Sequence, residues 1–366
     1  MSKGFAIRSL KLRNFRNHKK LDLTSFSSSN ILVGNNAVGK TNILEAIQLV
    51  TQLTSFRSSH SEELLRHNSL ESDFLVEAKI EDFDTNTNLI LSFRLDNKTK
   101  KYFFNSKNKK IKELKGKFPS VVFTPDDLQI VKGSNTMRRS SIDNLGCQIS
   151  KDYYNVFKDY SRVLKQKNSL LKNEVSNDLL KSINDVLTFT GAQLLFYRLS
   201  LCNKISPILN KYYKQFSNED SRLAIRYFPS WAMDDVLENI SRDDARSIIS
   251  KNLEKLTTEE KIKKSSIIGP HRDRIVFYLN DSDTQVFASQ GQQRSVALAL
   301  RFSEVEIIKN TLNKKLIILL DDVLSELDSY RRNMLLKNLK EQSQVFLTTT
   351  DPIELNDSSQ INISKI

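Results

Sequence analysis

Cysteine, glycine, proline and tryptophan are scarce in this chain: two, nine, six and one residue among 366. The two cysteines, Cys147 and Cys202, stand in no metal-binding spacing and are too few for a disulfide framework. They are expected as reduced, structural thiols of a cytoplasmic protein. So little glycine and proline excludes collagen-like and low-complexity chains. Long apolar runs are missing too. The longest cover about five residues, as at 316–320, far short of the roughly 20 that a membrane-spanning helix needs. Arg8, Lys11, Arg13 and Arg16 interrupt the stretch where a signal peptide would carry its apolar core, so neither a membrane partner nor secretion is expected. Acidic residues fall short of basic ones, 43 against 56, and the resulting net charge of +13 favours a polyanionic partner.

What is present sets the scale. With 39 % hydrophobic residues, 20 Phe and 10 Tyr, the chain can bury a sizeable core and suits two domains or one domain with an insertion. The first third alternates β-like runs at 7–12, 31–33, 73–80, 88–95 and 102–105 with one helical pattern, which starts at Gly39-Lys40-Thr41 and continues through Ile43, Leu44, Ile47 and Val50. From about residue 138 the period changes. Tyr153, Phe157, Tyr160, Leu164, Lys167 and Leu171 form a short heptad stripe, and Leu179, Ile183, Val186, Leu187, Leu194, Tyr197 and Leu201 mark a second long helix. Ser241 before Asp243 and Asp244 opens another, with Ile248, Ile249 and Leu253 as its apolar side. Strand pattern returns at 265–279, and the run 316–320 suits a central parallel strand. The expected architecture is α/β, with an N-terminal part over 1–137, a mainly helical insertion over 138–262 and a C-terminal part over 263–366.

Gly34-Asn35-Asn36-Ala37-Val38-Gly39-Lys40-Thr41 satisfies the P-loop pattern, after a β-run and before a helix. Its glycines let backbone N–H groups curl around a β-phosphate, Lys40 reaches the β and γ oxygens of ATP, and Thr41 can ligate Mg²⁺. An acidic partner closes the apolar run: Asp321 is placed to hold Mg²⁺ through its water shell and Asp322 to polarise the attacking water as general base. Asp322 is one methylene shorter than the glutamate common at that position, which predicts slow turnover. Upstream, Ser289, Gly291 and Gln292 precede the amphipathic stretch Val296, Ala297, Leu298 and Leu300, and a helix start of this kind is an anion site or simply a capped helix. The order of these segments is that of an ATP-binding-cassette head, in which the signature serine of one subunit contacts the γ-phosphate held by another. The histidine that transporter cassettes carry after the following strand is absent; the four histidines are His18, His60, His67 and His271. Thr350 or Asp351 is expected near the γ-phosphate instead, and His271 in a structural or interface role.

Beyond these motifs, Leu10, Leu12, Asn14-Phe15-Arg16-Asn17, then Asn42, Leu44-Glu45-Ala46 and Ser55-Phe56-Arg57 follow a recognisable order. So do Phe123-Thr124-Pro125-Asp126-Asp127-Leu128, Gly133, Arg138-Arg139 with Asp143, Gly269-Pro270-His271-Arg272-Asp273, Ser289 to Arg294, and Asp321 to Asp328. This series resembles the bacterial RecF family over residues 1 to about 350. Lys167-Asn168 replaces the family's usual Arg-Asn, and Arg274 replaces a second Asp after His271-Arg272-Asp273. The resemblance implies an ATPase head similar to those of SMC and Rad50 proteins without their long arms. It further implies an ATP-dependent homodimer that binds single- and double-stranded DNA at gaps and junctions, and that works with RecR and RecO to load RecA in repair, replication restart and the SOS response. It makes Asn14, Arg16 and Arg57 candidates for contacting adenine.

Three basic clusters compete for DNA. Residues 97–118 hold nine lysines against one acid, Glu113, with Tyr102, Phe103, Phe104 and Phe118 interleaved around a hairpin expected at 105–108. The lysines suit phosphates; the aromatics suit either exposed bases or the buried side of the hairpin. Arg8, Lys11, Arg13, Arg16, Lys19 and Lys20 form the second cluster, and Arg138 with Arg139 the third. No base-reading motif appears, so sequence specificity is not expected. A transport-coupling cassette, a long-armed chromosome organiser and a small-molecule P-loop kinase fit the missing histidine, the short heptad stripe and the Ser289 segment less well.

Overall fold

The computed structural model describes residues 4–363 except 36, 58–59, 68, 70, 86, 97–98, 174–175, 340–343 and 351–357. Up to residue 127 the strands are β1 (Phe5–Phe15), β2 (His18–Thr24), β3 (Ser29–Val33), β4 (Phe74–Asp82), β5 (Thr87–Asp96), β6 (Thr99–Phe104), β7 (Lys107–Lys109) and β8 (Ser120–Phe123), with helices α1 (Lys40–Gln52) and α2 (Ile111–Leu114). Residues 128–303 hold α3 (Leu128–Lys132), α4 (Asn135–Ile149), α5 (Lys151–Leu170), α6 (Asn177–Ser217), β9 (Leu223–Phe228), α7 (Arg242–Lys255), α8 (Thr257–Lys263), β10 (Arg274–Leu279), β11 (Ser282–Asp283) and α9 (Thr284–Phe287). Helix α10 (Gln290–Leu312) leads back into β12 (Ile317–Asp321), α11 (Ser329–Leu339), β13 (Gln344–Thr349) and β14 (Ser358–Asn362). Residues 1–127 with 304–366 form one compact unit and 128–303 the other.

In the first unit an antiparallel sheet of order β2-β1-β4-β5-β6-β7 accompanies a parallel sheet of order β14-β3-β13-β12-β8. Strand β4 shows the period-two pattern of a half-buried strand, with Phe74, Val76, Ala78 and Ile80 buried. Rings step across neighbouring strands from Phe15 to Phe74, Phe93 and Tyr102, with centroids 5.5, 5.4 and 4.9 Å apart. Strand β12 is buried at all five positions between β8 and β13, which is why its sequence is continuously apolar rather than alternating. The expected hairpin at 105–108 is present as the β6–β7 turn, with Asn105 and Ser106 both at positive φ.

The second unit begins earlier and ends later than the helical insertion expected at 138–262. The reason is pairing: β9, unforeseen in a stretch read as helical, joins β10 from beyond the expected boundary, and α4 packs on α5, α6 and β10. Helix α6 runs 41 residues, and its buried side carries Leu180, Ile183, Leu187, Leu194 and Leu201, leaving Leu179 and Val186 of the expected stripe exposed. The strand expected over 265–279 is confined to β10. Residues 266–273 instead form a loop that turns at Gly269, φ 124°, and feeds a buried polar network. Cys147 and Cys202 are both buried free thiols, and burial pushes Cys202 up to about 12.

Candidate functional site

Between β3 and α1 the loop turns through Ala37 at φ 67° and Gly39 at φ 104°. Glycine suits the second position because an L side chain is strained at that φ, and a Cβ there would crowd the ends of the His18 ring, 2.5 Å from Nε2, and of the Asn17 amide, at 2.6 Å. Those two residues arrive on the β1–β2 hairpin, and Asn42 Nδ2 donates to Asn17 Oδ1 at 2.7 Å. The same hairpin is bolted to α1 by Arg16, whose guanidinium grips the buried Glu45 carboxylate at 2.8 and 2.6 Å, while Ser55 Oγ donates to that carboxylate at 2.5 Å. Helix α1 has no side-chain cap and no acidic residue in its first turn, so its first N–H groups and its dipole remain open to an anion. Lys40 folds back on the loop, donating to the carbonyl oxygens of Gly34 and, at 3.1 Å, Asn35. Asn36 lies outside the described residues.

The acidic pair meets this loop through the parallel sheet. Thr41 Oγ1 donates to Asp321 Oδ1 at 2.8 Å, which brings residues 280 positions apart to one point. Asp321 Oδ2 makes no hydrogen bond and Asp321 no ion pair among the described residues, and burial raises its pKa against the pull of Thr41, Thr348 and Arg57. A buried carboxylate with one oxygen uncommitted, beside a hydroxyl and an uncapped helix terminus, has the donor set that fits Mg²⁺ and a polyphosphate. Asp322 turns into the left-handed region, φ 50°. Its carboxylate is half-buried and likewise without a hydrogen-bond partner among the described residues.

One residue joins the two acids. Thr348, register partner of Asp321 on β13, donates to Asp321 Oδ1 at 2.9 Å and accepts the N–H of Asp322 at 2.9 Å. Sequence reasoning looked past it to Thr350, which is exposed at the end of β13, and to Asp351, which lies outside the described residues. Only the strand pairing could have pointed to it. Of the adenine candidates, Arg16 is committed to Glu45 and Asn14 donates to Glu71. Arg57 stays exposed, donates to Asn42 Oδ1 at 2.8 Å and is near enough to Asp321 to act on its pKa.

Ser289, Gly291 and Gln292 belong to the second unit. Ser289 and Gln292 form a reciprocal capping box: Gln292 N donates to Ser289 Oγ at 3.2 Å and Ser289 N to Gln292 Oε1 at 3.0 Å. The N–H groups of Gln292 and Gln293 are taken by Ser289, and the Ser289 hydroxyl donates to nothing among the described residues.

The other singled-out residues of this unit are closed among themselves. Arg198 spans the Asp143 carboxylate at 2.8 and 2.7 Å and donates to Pro270 O at 2.5 Å; Tyr153 Oη donates to Asp143 at 2.7 Å. Asp273 accepts from Tyr227 Oη at 2.5 Å and Ser230 N at 2.7 Å. His271 lies 2.6 Å from Tyr160 Oη and 3.1 Å from Ser266 O, and burial lowers it to about 4. Lys167 and Glu260, both fully buried, meet at 2.6 Å. Arg274 lies over the Phe228 ring at 5.3 Å. Arg138 is buried and bound to Val131 O, Gly133 O and Gln285, while Arg139 holds Asp273 O at 2.6 Å. That pair is therefore architecture and not the free phosphate fork considered from sequence.

An uncapped P-loop helix joined to an aspartate pair at the end of a parallel strand is the nucleotide-site arrangement of an ATPase head. The fold agrees: the Smc head domain of Pyrococcus furiosus superposes with a TM-score of 0.53 at 16 % identity, over 95 % of this chain and 90 % of that one. A sequence model described as the RecF/RecN/SMC N terminal domain matches residues 6–364. The DNA replication and repair protein RecF of Oenococcus oeni is 36 % identical over 94 % of this chain and 92 % of its own length, and that of Bacillus cereus 34 % over 98 % and 96 %. A solved structure of the recombination mediator protein RecF-ATP in the RecFOR pathway matches with a TM-score of 0.90 at 31 % identity, covering 99 % of this chain and 97 % of that chain. The chain belongs to the RecF family, within the wider group of RecF, RecN and SMC heads.

Proposed function

We propose that this protein is an ATP-switched DNA-binding protein of recombinational repair and replication. The observation that carries the reading is the Thr41–Asp321 hydrogen bond, which joins an uncapped P-loop helix to a buried carboxylate at the end of a parallel strand. Its similarity to a RecF-ATP structure and to proteins named for DNA replication and repair supports it. Mg²⁺-ATP, when bound, supplies the charge that holds two copies together and the γ-phosphoryl bond whose hydrolysis lets them part.

The chain's own residues then have distinct tasks. Gly34 to Gly39 wrap backbone N–H groups around phosphate oxygens, and Lys40 swings from the loop carbonyls onto them. Thr41 and Asp321 hold the metal's shell. Asp322 accepts a proton from the attacking water at its carboxylate, with a reach one methylene short, so turnover is slow. Ser289, Gly291 and Gln292 of a second copy receive the γ-phosphate, making a homodimer that nucleotide stabilises by mass action. Basic surface then grips single- or double-stranded DNA at gaps and junctions. Cooperation with RecO and RecR in loading RecA, SOS induction and a cytoplasmic location complete the reading.

The test is anisotropy on a gapped duplex with and without Mg²⁺-ATP at two salt concentrations, beside Lys40→Met and a light-scattering mass. The expected result is salt-sensitive binding that needs ATP, accompanies doubling of mass and disappears in Lys40→Met. Nucleotide-independent binding by a monomer would overturn the switch.

A further inference from the structure

The three basic clusters differ in what their charges already touch. On β1 and in the turn after it the cations are answered: Arg8 pairs with Glu81, Lys11 with Glu77 at 3.6 Å, Arg13 with Asp22 at 2.8 Å and Arg16 with Glu45 at 2.6 Å, which leaves only Lys19 and Lys20 of that cluster exposed and without an ion pair among the described residues. Arg138 and Arg139 are committed to backbone carbonyls. On the β6–β7 hairpin and α2 only two lysines are paired, Lys101 with Asp96 and Lys109 with Glu113. Lys100, Lys107, Lys110 and Lys112 are exposed and make no ion pair among the described residues. The aromatics between them face inward. Tyr102 and Phe118 are buried, Phe104 packs on Phe118 at 6.3 Å, and Arg94 covers Phe103 at 5.0 Å. Strand β7 is also the free edge of its sheet.

From this we infer that the β6–β7 edge with the start of α2 is the surface that follows the nucleic-acid backbone, and that it does so through phosphates alone. This rests on the DNA-binding reading and adds the place and the mode of contact. Unpaired ammonium groups release counterions when they meet phosphates, whereas a lysine already paired gains little. With every ring on the hairpin packed or covered, no base can stack there, so duplex and single strand are held alike by this edge. Lysines on an edge strand also discourage sheet-to-sheet association; that role alone predicts no effect on DNA.

Two charge-matched double variants separate these cases: Lys107→Gln with Lys110→Gln at the hairpin and the start of α2, and Arg8→Gln with Lys11→Gln on β1, where both cations are already paired. Both are surface changes that leave the nucleotide site intact, checked by fluorescent-ATP binding. The hairpin pair should weaken binding to duplex and single strand equally, about tenfold at low salt, and lower the slope of log affinity against log salt on duplex by about 1.8, at about 0.9 per phosphate. The β1 pair, already answered by Glu81 and Glu77, should change neither. Equal losses in both variants, or intact binding in the hairpin pair, overturn this inference while leaving the DNA-binding reading standing. A larger loss on single strands overturns the phosphate-only mode. Absence of DNA binding by the unmodified protein overturns both.

Discussion

Two buried acidic centres of this protein invite comparison. Asp143 and Asp273 in the second unit have their oxygens occupied by Arg198, Tyr153, Tyr227 and Ser230. Asp321 in the first unit has one oxygen held by two hydroxyls and the other held by nothing among the described residues. Burial alone does not separate them, since all three are buried. What separates them is completeness: a satisfied carboxylate fixes architecture, and an unsatisfied one is kept for a ligand.

The comparison can be broken most forcefully at Arg198. Replacing it by Met leaves Asp143 buried without its cation and should destabilise the second unit by about 3–5 kcal/mol in denaturant unfolding, while fluorescent-ATP affinity at the first unit stays unchanged. A pH test follows at His271. Its folded-state value of about 4 lies below the ordinary 6.5, so the unfolded chain takes up a proton first as pH falls. Stability should be full above pH 6.5 and decline toward pH 4, by about 2 kcal/mol at pH 5. In His271→Gln that acid slope should be lost, which unfolding curves at pH 7 and pH 5 will read.

At the site itself Thr348→Val should raise the Mg²⁺ concentration needed for nucleotide binding about tenfold, because it frees the Asp321 carboxylate and leaves the Asp322 N–H without its acceptor. Binding without Mg²⁺ should not move, and Thr348→Ser should restore the midpoint. Ser289→Ala removes half of a capping box and should lower stability by about 1 kcal/mol; pairing driven by ATP, read by light scattering, should weaken with ATP binding intact. The smallest effect on stability is expected at Asp321→Asn. Removing a desolvated charge should leave the melting temperature equal or higher while Mg²⁺-dependent binding falls, the reverse of Arg198→Met.

The P-loop, the aspartate pair and the central strand were legible because each is a local pattern: glycine spacing, an apolar run, acids at its end. The capped helix start at Ser289 was legible for the same reason, while its reciprocal bond with Gln292 came from the structure. The limits of the second unit were not, since β9 is defined by a partner about 50 residues downstream. Nor was the split among the basic clusters, because a lysine looks the same in sequence whether or not Glu77 lies across the sheet from it.

Sequence by itself determined the P-loop and aspartate-pair motifs, the α/β class and the excess of positive charge, all properties of residue type and short spacing. Tertiary structure decided which charges remain free, which acids are complete, and that Thr348 ties Asp321 to Asp322. Those depend on strand register and on burial, which no local pattern encodes.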